Sequence, residues 1–394
     1  MQSSQPNKYF LALLAFLTVP ISGLSIDIYV PSLPAVSQYF GVDKSLTQLT
    51  ITVYMIGLGV MQLFAGGISD SFGRKKPFLI AMFAYFVATL FIPFVQNIHQ
   101  LLTLRFIQGI MVAITVVPMR SVIPDLFEGR EYYKMANYMT MAWSIGPIIA
   151  PAIGGYLQHY FGWQANFYFL AIYSVLTFVL IAIYLPETSA YKHPFHVYKI
   201  LIRYKEMLLH KDYVISILIN SMLYSLIILF AIVGPFLIQT ILHYSAVEFG
   251  HIALFTGLAW FCGTMTNRFF AHVSLGKKTK ICLWSMLLVA FVTLLFDLIT
   301  LMNIYLIVAP IIIILWIGGI IFPNHFAFAI SLFPKTTGGA NALFGGFVFF
   351  ITGLSSGLGT YLKATTELPL TLAYIGLIGL CLVLYYISGH KTQE

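Results

Sequence analysis

Charge is what this sequence most lacks. Asp, Glu, Lys and Arg make up 9% of its 394 residues, where a soluble domain carries about 25%. So few charges cannot clothe a water-facing surface when 59% of the residues are hydrophobic and mean hydropathy is +0.89. The three cysteines, Cys262, Cys282 and Cys381, all sit in apolar stretches and form no CxxC. They read as small buried hydrophobes, with no disulfide. There is no HExxH, no GxGxxG and no histidine cluster, so metal hydrolysis and nucleotide chemistry have no carrier. An enzyme is not expected, and neither is a cofactor or a metal. A receptor or scaffold would need a sizeable soluble domain, and the longest polar interruption is only Pro186–Asp212.

What is present is a series of long apolar runs. A spanning helix needs about 20 mainly apolar residues. Leu11–Val30, Phe78–Val95, Phe167–Leu185, Tyr213–Leu237, Leu283–Leu301 and Leu370–Ile387 qualify outright. Others are punctuated by Gly and Pro, which spanning helices tolerate. The pattern predicts twelve spans, at 9–38, 46–68, 77–96, 100–123, 134–157, 164–185, 213–240, 247–270, 279–301, 304–330, 337–362 and 368–388. The first follows Lys8 with no small-residue cleavage site, so it reads as an uncleaved helix.

The net charge of +8 could suggest a nucleic-acid partner, but the placement of the bases argues against it. Lys8, Arg74, Lys75, Lys76, Arg120, Arg130, Lys134, Lys192, Lys199, Arg203, Lys205, Lys211, Arg268, Lys277, Lys278, Lys280, Lys335 and Lys391 all fall toward one side of the predicted membrane. The other side has only Lys44 and Lys363, and Arg105 lies within a span. Positive-inside asymmetry fixes an even number of helices with both termini cytoplasmic. The expected domains are a first bundle over 1–190, a cytoplasmic linker over 191–212 that could form a surface helix, and a second bundle over 213–394. An echo supports duplication. Gly66–Lys76 reads GGISDSFGRKK, and NRFFAHVSLGKK, ending at Lys278, follows the eighth span. Parallel repeats are one way that transporters build a central site open to each side in turn.

Gly66-x-x-x-Asp70-x-x-Gly73-Arg74-Lys75 resembles the signature of the major facilitator superfamily. Its glycines permit a turn and close helix contact, and Asp70 and Arg74 can pair across helix ends. Arg105-Phe106-Ile107-Gln108-Gly109 is similar to that family's RxxQG motif. Gly146-Pro147-x-x-Ala150-Pro151-x-x-Gly154-Gly155 resembles the motif of its antiporters. Gly146, Ala150 and Gly154 share one helix face, while Pro147 and Pro151 each remove a backbone bond. Such a helix suits a moving joint, and it also suits ordinary tight packing.

A narrower resemblance is to the Bcr/CflA subfamily of bicyclomycin- and chloramphenicol-resistance drug:proton antiporters. It rests on Asp27-Ile28-Tyr29-Val30-Pro31-Ser32-Leu33-Pro34, on Arg120-Ser121-Val122-Ile123-Pro124-Asp125, on Gly234-Pro235-Phe236 and on Gly338-Gly339-Ala340-Asn341-Ala342-Leu343. The subfamily often has a base in place of Pro124. The resemblance implies an all-α membrane protein, with two six-helix bundles around a central cavity, in a bacterial inner membrane. It implies a monomer that exports drugs or small organic metabolites against protons. A dedicated exporter or importer of one metabolite, such as a carboxylate siderophore, is the alternative.

Of the 13 acids, all but Asp27 and Asp297 fall in loops or at helix ends, and Asp297 is close to an end. Charge inside a bilayer is costly and marks function by default. Asp27 is therefore the candidate proton carrier, unless it only caps the break at Pro31. Arg105 is the matching cation. The resemblance has it face the cavity and modulate Asp27 or bind an anionic group; the alternative is a structural arginine bonded to backbone carbonyls. His325 can titrate near neutrality, although a lone membrane histidine is commonly a packing residue. Tyr29, Tyr54, Asn220, Tyr224 and Phe236 complete the candidate cavity wall. Gly66, Asp70, Gly73, Arg74, Arg120, Asp125, Gly146, Pro147, Pro151 and Gly154 are the candidate conformational residues.

Overall fold

A computed structural model describes residues 7–189, 194–299, 302–362 and 365–388. Lys192, Lys363, Lys391 and Glu394 lie outside the described residues, as does part of the expected linker. All regular structure among the described residues is helical. Helix one spans Lys8–Phe40, helix two Lys44–Phe72, helix three Lys75–Phe94, helix four Ile98–Leu126, helix five Gly129–Phe161 and helix six Gln164–Tyr184. A linker helix, Val197–Leu208, follows. Helix seven is Lys211–Ile241, helix eight Ala246–Phe270 and helix nine Leu275–Ile299. Helix ten is Ile304–Ser331, helix eleven Thr337–Gly359 and helix twelve Leu368–Ser388.

Eleven of these are long and apolar enough to cross a membrane. Helix five, at 33 residues, is long enough but more polar. It packs against helices one and eight, and its buried residues are the small and apolar ones, Met135, Met139, Gly146, Ala150, Pro151, Gly154 and Gly155. Cys282 and Cys381 are buried as expected, but Cys262 is exposed on helix eight. The outward face of that helix carries it.

Prolines decide where the helices break. Helix one divides into Lys8–Thr18, Ile21–Asp27, a 3-10 turn at Val30–Ser32, and Leu33–Phe40. Pro31 has no N–H for the carbonyl of Asp27, four residues earlier, so the regular ladder stops there. In helix seven Pro235 does the same, and Phe236–Ile241 continues as a π turn. Both breaks leave backbone carbonyls for side chains of the opposite half. Gln239 Nε2 donates to the Pro31 carbonyl at 2.9 Å, and Gln48 Nε2 donates to the Ile232 carbonyl at 2.7 Å.

These two bonds join the halves at the end remote from Arg74 and Lys75, called here the far face. Helices two and eleven add a Thr52–Ser356 hydroxyl pair at 2.9 Å. At the basic face, Tyr204 of the linker helix donates to the Leu63 carbonyl at 2.7 Å. Tyr204 and Met207 are the buried residues of this amphipathic helix, while Lys199, Arg203 and Lys205 are exposed.

Candidate functional site

Asp27 ends the second segment of helix one, at the break that Pro31 imposes. It is 9% exposed. Its side chain makes no hydrogen bond or ion pair with any described residue. The hydroxyls of Tyr54 on helix two and Tyr224 on helix seven lie within its electrostatic range. The carboxyl therefore sits between the two halves and is not committed to either.

Arg105 is fully buried inside the first half. Its Nη1 donates to the Ser25 carbonyl at 3.1 Å and to Gln108 Oε1 at 2.8 Å. Gln108 donates in turn to Thr89 at 2.7 Å. The guanidinium lies 4.5 Å from the Tyr54 ring, 5.3 Å from Tyr29 and 6.0 Å from Phe167, so ring faces substitute for a counter-ion. Among the described residues its Nε and Nη2 have no hydrogen-bond partner. The expected opening to a cavity is not there. Arg105 is sealed behind tyrosines and makes no ion pair with Asp27. Ser25, two residues before Asp27, carries its link to helix one.

The candidate wall divides accordingly. Tyr29 and Tyr54 are fully buried around Arg105 and do not line an opening. Tyr224 is part-buried between Phe322 and Phe349, within electrostatic range of Asp27. Asn220 donates to the Phe322 carbonyl at 3.1 Å, tying helix seven to helix ten. Phe236 is buried at the π turn. His325 is fully buried between helices nine and ten, with Nε2 3.0 Å from the Thr279 hydroxyl. The structure places it inside the second half, away from Asp27.

At the basic face one arginine ties four helices together. Arg74 Nη1 donates to Asp70 at 2.5 Å and Ser69 at 2.9 Å, and Nε donates to Asp125 at 3.1 Å. Thr188, beyond helix six, donates to Asp125 at 2.9 Å. Glu187 was not singled out by the sequence, yet it caps helix three: its carboxylate accepts from the backbone of Arg74 at 2.8 Å and of Lys75 at 3.2 Å. An acid at a helix N-terminus also meets the positive end of the dipole.

Gly73 is the enabling residue. Its φ is +90°, and a Cβ would meet Glu187 Oε2 at 2.2 Å. Gly66, expected to give close contact, faces open space, and Gly67 makes the approach instead, to the linker helix at Ile200. Arg120 does not join this network. It is part-buried, with its guanidinium 5.5 Å from the Trp143 ring on helix five.

Glu187 gives a pH prediction. Partial burial pushes its pKa up, but the three backbone N–H donors and Arg74 outweigh it, so the net pKa lies below the ordinary glutamate range. A depressed pKa stabilises the fold above the unfolded pKa, near 4.3, and that stability is lost as pH falls through the folded pKa. Glu187→Gln should cost about 0.3–1 kcal/mol at neutral pH and flatten the acid limb of the melting curve. An unchanged acid limb in thermal melts from pH 7 to 3.5 would remove Glu187 from the cap.

The small-residue faces of helix five divide their work. Gly146 approaches the Pro20 carbonyl, Gly154 the Ile28 carbonyl, and Pro147 packs on Gly23. All these partners are on helix one, so this face is a seam within the first half. The contact between halves is carried by Pro151 and Gly155 of the same motif, with Ile148 beside them. Gly155 meets Ala246, Pro151 meets Gly250, and Ile148 meets Gly257 of helix eight.

A broken first helix with a free acid, between two packed halves, is the architecture of a carrier. A family model described as Major Facilitator Superfamily matches residues 15–356, and the chain belongs to that family of membrane transporters. Over its whole length it is similar to a bicyclomycin resistance protein homolog of Haemophilus influenzae, 24% identical over 403 residues, 100% of this chain and 99% of the relative. It is 26% identical over 383 residues to multidrug resistance protein D of Escherichia coli, 96% of this chain and 95% of the relative. The crystal structure of a D-xylose–proton symporter shares the fold, with a TM-score of 0.78 at 14% identity, over 96% of this chain and 98% of that one.

Proposed function

We propose that this transporter exports drugs or small organic metabolites in exchange for protons, from the cytoplasm of a bacterium across its inner membrane. The observation that carries the reading is the Asp27 carboxyl, enclosed, without a hydrogen bond or ion pair among the described residues, and within electrostatic range of a tyrosine from each half. A proton entering from the far face neutralises Asp27 and releases substrate. After the halves (1–190 and 213–394, linked by 191–212) rock, the proton leaves to the cytoplasm and substrate rebinds. The basic face is cytoplasmic in this reading, as are both termini. Each chain holds a complete path, so the unit is a monomer.

The structure corresponds to the arrangement closed at the far face, where Gln48, Gln239 and Thr52 make their bonds between halves. The two relatives named above are a drug-resistance homolog and a multidrug resistance protein, which favours drugs. A siderophore substrate is not carried forward.

The test is accumulation of ethidium or chloramphenicol in proteoliposomes under an imposed pH gradient. Accumulation that a protonophore collapses is expected. Uptake indifferent to the gradient would overturn proton exchange.

A further inference from the structure

The far end of the second half holds two carboxyls that the exchange mechanism does not use. Asp297 lies just before the end of helix nine, and Glu367 stands immediately before helix twelve. Thr371, one turn into helix twelve, joins them. Its hydroxyl donates to Asp297 Oδ2 at 2.6 Å and lies 3.5 Å from the Glu367 carbonyl. Glu367 is only 5% exposed. Its Oε2 and the Oδ1 of Asp297 are sealed from solvent, and neither has a hydrogen-bond partner among the described residues. The ion pairs among the described residues involve neither acid. Glu367 and Thr371 line a cavity of about 20 Å³ between helices nine, ten and twelve, with Thr293, Ile307 and Ile311 on its other sides. That is room for one water or one ion. Pro310 and Leu306 line it too, and proline has no N–H to offer the Leu306 carbonyl four residues earlier.

We propose that this pocket binds a divalent cation of the calcium type, entering from the far face, with Glu367 and the Thr371 hydroxyl as direct ligands and Asp297 as the second balancing charge. Calcium takes oxygen ligands, carboxylates and neutral oxygens together. Because the Thr371 hydroxyl points its hydrogen at Asp297, its lone pairs remain for a cation in the cavity. The same bond makes Asp297 the outer partner that orients a ligand. A lone water there would leave two negative charges beside Ile307 and Ile311, which is costly. Burial, with the charge of Asp297 adding to it, pushes the Glu367 carboxyl above the ordinary glutamate range. A bound cation reverses that push by favouring both ionised forms. Two positive charges balance two carboxylates, and a sodium ion would not. The ion fastens helix nine to helix twelve at their far ends. The inference is independent of proton exchange at Asp27.

The test is thermal melting of the purified full-length protein in detergent near neutral pH, stripped with EDTA and titrated with calcium in the presence of sodium. Terbium luminescence, with calcium as competitor, reads the site directly, since Tyr374 lines the cavity and passes excitation to a lanthanide bound there. The wild-type melting temperature should rise with a midpoint at about 0.1–1 mM calcium, the range of weak extracellular sites. Glu367→Gln should show no rise below about 10 mM, and Asp297→Asn should need about tenfold more calcium than wild type. Without calcium both variants should melt at or above wild type, because each removes a buried repulsion, so lost binding will not be lost folding. Asp43→Asn, at an exposed acid of the same face, should respond as wild type does. A wild-type melting temperature that calcium leaves unmoved up to about 10 mM would overturn the proposal in favour of a proton shared between the two carboxyls. An undiminished calcium response in Glu367→Gln, or terbium emission that calcium does not displace, would overturn it as well.

Discussion

Asp27→Asn should abolish pH-driven accumulation in proteoliposomes, by about 100-fold or more, while substrate-for-substrate exchange continues. Asparagine keeps the size and polarity of the side chain but cannot take up or give back a proton. The carboxyl has no hydrogen bond or ion pair with a described residue, so the substitution strips no partner and should leave the fold intact. This separates coupling from movement. Exchange needs only that the halves rock with substrate bound. Accumulation needs the binding site to change charge between the two sides. Loss of both activities would instead make Asp27 part of the rocking joint at Pro31. Retention of both would move the coupling to another group.

The second large effect lies in the seam between helices one and five. At Gly154 a Cβ would stand 1.9 Å from the Ile28 carbonyl oxygen, 2.7 Å from its carbon and 3.0 Å from its Cα. These are backbone atoms at the helix-one break, and no rotamer change relieves them. Close approach of two backbones is what small residues permit in membrane helices, and overpacking a fitted site costs about 1–3 kcal/mol even where side chains can shift. Gly154→Leu should therefore give little folded, monodisperse protein in detergent. Gly376→Leu and Gly379→Leu, whose Cβ positions meet nothing within 4 Å, should behave as wild type. A monodisperse Gly154→Leu protein with wild-type melting would show that the helices do not approach this closely.

The sequence made the architecture legible because lipid imposes length. Eleven apolar spans, and a linker rich in bases, follow from hydrophobic runs and charge placement alone. Helix five stood out less by hydropathy, yet its Gly and Pro spacing marked it. The acid at the centre was legible too, by elimination, since only Asp27 and Asp297 lie within spans. What pattern could not reveal was partnership. Arg105 and Arg120 are both arginines of helix four, and nothing in their spacing says that one is caged by Tyr29, Tyr54 and Phe167 while the other keeps an open guanidinium. That difference depends on where rings from helices one, two, five and six arrive. Glu187 escaped for a similar reason. It lies far along the chain from the Arg74 motif and becomes its cap only when helix six returns beside helix three. The contact between halves shifted by one residue, from Gly154 to Gly155, because neighbouring positions on a helix point about 100° apart.

The central claim is that substrate and proton compete for Asp27. The most direct measurement is proton release from purified protein in weakly buffered detergent near neutral pH. Ethidium and chloramphenicol would be added in turn to wild type and to Asp27→Asn. The account predicts that at least one of them releases protons from wild type and none from the mutant, although that compound still binds both. Equal release from the two proteins, or binding to wild type with no release, would contradict it.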